Sequence, residues 1–133
     1  MYFEGELNFS IITSKDSFEE DLNKKMGFMP TRVIKKGEWL LINEAPYCIW
    51  LYDTSFTNET LAPVLTSFVQ RLTQSKASIE DIAKRYEKVI VNMYLRTDYD
   101  QFGFSLPNKE LQALSQLGLD FDFHFIALGD EEE

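Results

Sequence analysis

Val89-Ile90-Val91-Asn92-Met93-Tyr94-Leu95 is the most apolar strand candidate in the chain, and what flanks it decides the fold. The run is too short for a helix and rich in β-branched residues, so it reads as a strand in the body of a sheet. Upstream, Leu61, Leu65, Phe68, Val69 and Leu72 fall at i, i+4, i+7, i+8 and i+11, the stripe of an amphipathic helix laid on that sheet. Pro63 belongs in the first turn of this helix, because farther inside it would remove a hydrogen bond and clash with the preceding turn. Gln74 to Ala77 is a polar break, after which Ser78 can cap a second piece carrying Ile79, Ile82, Ala83 and Tyr86. Downstream, Pro107 and Gly118 bracket a helix with Leu111, Leu114 and Leu117 inward, and Phe121 to Ile126 alternates as a last strand.

Farther toward the amino terminus, Phe3, Leu7, Phe9 and Ile11 alternate with Glu4, Glu6, Asn8 and Ser10, the period-two pattern of a half-buried strand. Ser17 and Glu20 have capping-box spacing ahead of Phe18, Leu22 and Met26, and Gly27 offers a stop. Arg32 to Lys35 and Glu38 to Asn43 read as strand or extended arms around a Gly37 turn, and Tyr47 to Tyr52 as a central strand. The order is β-α-β-β-α-β-α-β. It predicts an α+β two-layer sandwich, a mainly antiparallel sheet with helices on one face, built on a split β-α-β, ferredoxin-like core with an added helix and strand. Residues 1–129 form one domain in this reading, and Asp130 to Glu133 a solvated acidic tail.

Composition narrows the function. Of 133 residues, 22 are acidic and 13 basic, a formal charge of −9, and 44% are apolar, enough for a core. A nucleic-acid binder needs clustered Lys and Arg, and anionic membranes repel such a chain, so neither is an expected partner. The single Cys48 precludes an internal disulfide or a multi-thiolate zinc site. The opening residues carry no basic segment followed by an apolar one, and a cytoplasmic location is expected.

Catalytic motifs are absent from the sequence. Cys48 sits in an apolar strand without a basic neighbour, the setting of an inert thiol, and neither a G-x-S-x-G elbow nor a phosphate loop occurs. His124 with Asp120 and Asp122 cannot close on a metal ion, since i and i+2 on a strand lie about 7 Å apart and i and i+4 about 13 Å. No enzyme activity, cofactor or metal is therefore expected. By alternation, the sheet face away from the helices should present Glu6, Asn8, Trp50, Tyr52, Asn92, Tyr94, Arg96, Asp122 and His124, beside an acidic loop at Asp98 and Asp100. This is either a binding surface for a protein or a small molecule or, where a loop folds over it, a second minor core. A small-molecule cleft would need Trp50, Tyr52, Tyr94 and Arg96 to converge.

Three stretches carry a family resemblance: Met26-Gly27-Phe28-Met29-Pro30-Thr31-Arg32 with Lys36-Gly37-Glu38, then Trp50, then Phe102-Gly103-Phe104-Ser105-Leu106 leading through Leu117-Gly118-Leu119-Asp120 to a strand with Asp122. In order and spacing they resemble the bacterial domain-of-unknown-function family numbered 4279. Some members of that family resemble immunity proteins of toxin systems, and it has no established catalytic residues. The resemblance implies a fold and a genomic habit; with the compact size, the acidic charge and the lack of a catalytic motif it makes an immunity-type protein that binds a toxin domain the leading expectation, and a small-molecule-binding or regulatory domain the alternative. An acidic inhibitor suits a basic toxin, which it would meet with complementary charge.

Overall fold

In the computed structural model, which describes residues 2–99 and 101–127, the alternation along the first strand is realised as read. β1 (Phe3–Thr13) turns Phe3, Leu7, Phe9 and Ile11 into the core and leaves Glu4, Glu6 and Asn8 on the other face. After it come α1 (Glu19–Met26), β2 (Arg32–Ile34), β3 (Cys48–Thr57), α2 (Leu61–Gln74), α3 (Lys76–Arg85), β4 (Lys88–Thr97), α4 (Asn108–Gln116) and β5 (Asp120–Ala127). The sheet order is β2-β3-β1-β4-β5. Neighbours pair antiparallel except β4 and β5, which are parallel and joined through α4, as a parallel pair requires. The first four strands thus form the split β-α-β core, and α4 with β5 is the added unit.

One cluster of buried side chains closes the helix layer on the sheet. Leu22 and Met26 of α1, Leu65, Phe68 and Leu72 of α2, Ile79 and Ile82 of α3 and Leu114 of α4 meet Leu7, Phe9, Trp50, Val91, Met93 and Leu95 of the strands. Gly5 is required near the start of β1 by a close approach, since a Cβ there would stand 1.8 Å from the Tyr94 carbonyl oxygen of β4.

Several local expectations give way to tertiary packing. The Ser17 and Glu20 capping box does not form; Phe18 occupies the N-cap position of α1, and burying its ring sets how the chain joins the helix. Acidic Glu19, Glu20 and Asp21 in the first turn still complement the helix dipole, and Gly27 at φ 76° ends it. Ser78 lies inside α3 rather than capping it, and the Ser75 hydroxyl instead donates to the Met26 carbonyl, tying α3 to the end of α1. Leu111 is 43% exposed, whereas Leu114 and Leu117 point inward as expected. The Glu38 to Asn43 arm is not a strand. Between β2 and β3 the chain makes a single bridge, Trp39 to Glu44, and leaves Trp39, Leu41 and Ile42 exposed at the tip of the loop.

Candidate functional site

The face opposite the helices is built in rows across the sheet, because residues paired between strands share a face. From one end, the rows run Ile34-Ile49-Ile12-Lys88, then Arg32-Leu51-Ser10-Ile90-Asp120, Asp53-Asn8-Asn92-Asp122, Ser55-Glu6-Tyr94-His124, and Thr57-Glu4-Arg96-Ile126. The first two rows are largely aliphatic, and Ile34 and Ile90 are buried there outside the main core cluster. The last three rows are polar and carry four carboxylates, Glu4, Glu6, Asp53 and Asp122, against one guanidinium. The face is thus apolar at one end and polar at the other.

Side chains on the platform hold one another in place. Arg96 makes a two-pronged pair with Glu6, Nη1 to Oε1 at 3.0 Å and Nη2 to Oε2, and its Nε reaches Glu4 at 3.5 Å. Such fork geometry adds direction as well as strength. These hydrogen bonds to Glu6, followed by the charges of Glu6 and Glu4, push the guanidinium still higher than its ordinary pKa. Tyr94 stacks on His124 with ring centroids 4.5 Å apart, and His124 Nε2 lies 3.0 Å from Asn92 Oδ1. Burial, then the negative charges of Asp122 and Glu6, raise the Tyr94 phenol. Both shifts move away from neutrality, which fixes Arg96 as a cation and Tyr94 as a neutral hydroxyl rather than readying either to exchange a proton. The Thr31 hydroxyl donates to Asp53 at 2.7 Å. An open hollow of about 310 Å³ runs along Glu4, Glu6, Ser55, Thr57 and Arg96, and a smaller one places exposed Asp98 beside Tyr2, Glu4 and Arg96.

Of the residues expected on this face, Glu6, Asn8, Asn92, Tyr94, Arg96, Asp122 and His124 are there, with Asp98 at its rim. Asp100 and the tail from 130 to 133 lie outside the described residues. Trp50 and Tyr52 are a correction: both stand on the helix side, because Trp50 pairs with core residue Ile11 and Tyr52 with core residue Phe9. Trp50 is fully buried between Phe9 and Phe28, and its indole N–H donates to Asn23 of α1 at 2.8 Å. Tyr52 stacks on Phe68 of α2 under the Arg71 guanidinium. The sheet therefore separates Trp50 and Tyr52 from Tyr94 and Arg96, and the four do not converge on a small-molecule cleft. Ile49 to Tyr52 of β3 is apolar at every position, so this stretch alone carries no signal for its sidedness; the signal lies farther along the strand, where Asp53, Ser55 and Thr57 alternate with buried Phe56.

Sequence reading missed Glu4 and Asp53 on the platform, although Glu4 shares the parity of Glu6. It also missed the exposed loop tip, where Trp39, Leu41 and Ile42 line an open hollow of about 670 Å³ with Arg32, a member of the second row. Among the described residues, no group of three His, Cys, Asp or Glu side chains is placed to hold a metal ion, and no helix is long and apolar enough to cross a membrane.

These features define a class: an α+β domain on a ferredoxin-like core, with helices on one sheet face and an acidic, internally hydrogen-bonded platform on the other. The chain belongs to the family described as "Domain of unknown function (DUF4279)", which it matches over residues 4–128. No curated protein and no solved structure matches it.

Proposed function

We propose that this chain is a non-catalytic, cytoplasmic protein-binding module of the immunity type, which covers a basic bacterial toxin domain with the uncovered face of its sheet. The observation that carries the reading is the excess of four carboxylates over one guanidinium on a platform ordered by the Arg96 pairs and the Tyr94, His124 and Asn92 contacts. A negative field on a rigid surface steers a cationic partner toward it and raises the association rate, while side chains already held in place lose little freedom on docking. The loop tip at Trp39, Leu41 and Ile42 adds exposed apolar and aromatic area of the kind that anchors interfaces. Nucleic acid and anionic lipid would meet the same field as repulsion.

Co-expression with the product of the adjacent gene tests the proposal. A stable co-purified complex and protection of the host from that product are the expected results. Failure to form a complex together with failure to protect would remove the reading.

A further inference from the structure

The two edges of the sheet are unlike. β2 is three residues long and runs directly into a loop, whereas β5 is eight residues long with seven of them exposed. Among the described residues no strand pairs with its outer edge, and an edge of that length, free of Pro, Gly and Lys, offers a row of main-chain donors and acceptors for another strand. On its helix side, Phe121, Phe123 and Phe125 form a continuous stack, with ring centroids 4.7 and 6.2 Å apart, and Phe123 and Phe125 are 42% and 56% exposed.

We propose that β5 pairs antiparallel with β5 of a second copy of this chain, about a two-fold axis at Phe123, so that the two sheets become continuous. The occupant and the register follow from the sequence of the strand itself. Keeping both helix layers on one side of a joined sheet allows only registers that differ by two residues. Placing Asp122 opposite itself sets like charges against each other. Placing His124 opposite itself leaves Phe121 against Ala127, outside any aromatic pair; an Asp against Ile126 occurs in this register and in the one about Phe123 alike, and does not choose between them. With Phe123 opposite itself, each Phe121 meets the other copy's Phe125 on one face and each Asp122 meets the other copy's His124 on the opposite face. All three aromatic positions are then paired with aromatics and no carboxylate faces another. Self-complementarity of this kind is what an isologous two-fold interface requires.

The joined edge borders the platform that would receive a basic partner, since Asp122 and His124 end two of its rows, and salt separates the two kinds of association. Each copy carries a formal charge of −9, so screening strengthens self-association while it weakens capture of a cation. Sedimentation equilibrium of the full chain at increasing concentration should show a species of twice 15.5 kDa, favoured by added NaCl. Phe123→Lys, which sets two ammonium groups face to face at the axis, should raise the dissociation constant about tenfold or more while circular dichroism stays unchanged. Phe123→Cys should be joined into a covalent dimer by a short bismaleimide, and Phe125→Cys, which faces residue 121 of the other copy, should not; Cys48 is buried and does not compete. A monomer at every concentration, or cross-linking as efficient at 125 as at 123, would overturn the proposal. Should Phe123→Lys fail to fold, wild-type sedimentation and the two cysteine variants still decide it.

Discussion

Replacing Trp50 by Ala removes the side chain on which β3, α1 and the Phe28 loop converge. The ring is fully buried, so truncation returns none of its area to water and leaves a cavity instead. Deleting a buried Trp side chain costs about 3–5 kcal/mol, transfer and cavity together. Two edge-on contacts go with it, to Phe9 at 6.2 Å and Phe28 at 5.7 Å, along with the indole hydrogen bond to Asn23, which contributes about 1 kcal/mol. Asn23 is half-buried and recovers part of that bond from water, so the total should fall near 4 kcal/mol. Trp50→Phe keeps most of the apolar volume and should lose about 1–2 kcal/mol. Urea unfolding with an unchanged slope measures both. A loss below about 1.5 kcal/mol for Trp50→Ala would refute the placement, because only a side chain on the solvent face is deleted so cheaply.

Gly5→Ala should lose about 3 kcal/mol or more in the same assay, since its Cβ would collide with the Tyr94 carbonyl and neither backbone can retreat within a paired sheet; a neutral result would contradict the β1 to β4 register. Hydrogen bonds from the Ser14 hydroxyl, the Ser14 amide and the Thr13 hydroxyl hold the Glu87 carboxylate down at about 2 from an ordinary 4.5. Its contribution to stability is therefore present above about pH 4.5 and lost as pH falls toward 2, and Glu87→Gln should flatten the stability profile in that window when unfolding is followed against pH. Of the two tryptophans, Trp39 is 70% exposed and Trp50 is buried, so iodide should quench only part of the fluorescence, and Trp39→Phe should remove the quenchable part.

Where a segment had one wet and one dry face, the sequence displayed the fold openly. β1 shows its alternation, α2 its stripe, and Gly27 and Gly118 mark helix ends with φ of 76° and 73°. The platform was legible wherever polar residues alternated with apolar ones, as at Glu6, Asn8, Asn92 and Tyr94. It was illegible from Ile49 to Tyr52 of β3, which offers apolar groups to both faces, and the parity that assigns Trp50 and Tyr52 shows only farther on, at Asp53, Ser55 and Phe56. The loop from 36 to 46 misled for a related reason. Trp39, Leu40, Leu41 and Ile42 have strand-like residues, yet the segment turns back on itself through the Trp39 to Glu44 bridge and the Leu40 amide bond to the Asn43 carbonyl instead of joining the sheet. Capping motifs failed where a nearby aromatic ring or carbonyl competed for the chain, as Phe18 and Ser75 show.

The measurement that bears most directly on the proposed role is the association rate of this chain with the product of its adjacent gene, followed against NaCl concentration. It is made for the wild type and for the double reversal Asp53→Lys with Asp98→Lys. Both carboxylates lie at the platform and outside its Arg96 pairs, so reversing them alters the field and removes one hydrogen bond, from the Thr31 hydroxyl to Asp53, while the Arg96 pairs stay in place. Steered association predicts a fast wild-type rate that falls steeply with salt, and a double variant slower by about tenfold or more at low salt with a flattened dependence. Equal rates and equal salt slopes for the two proteins, or no association at all, would contradict the account.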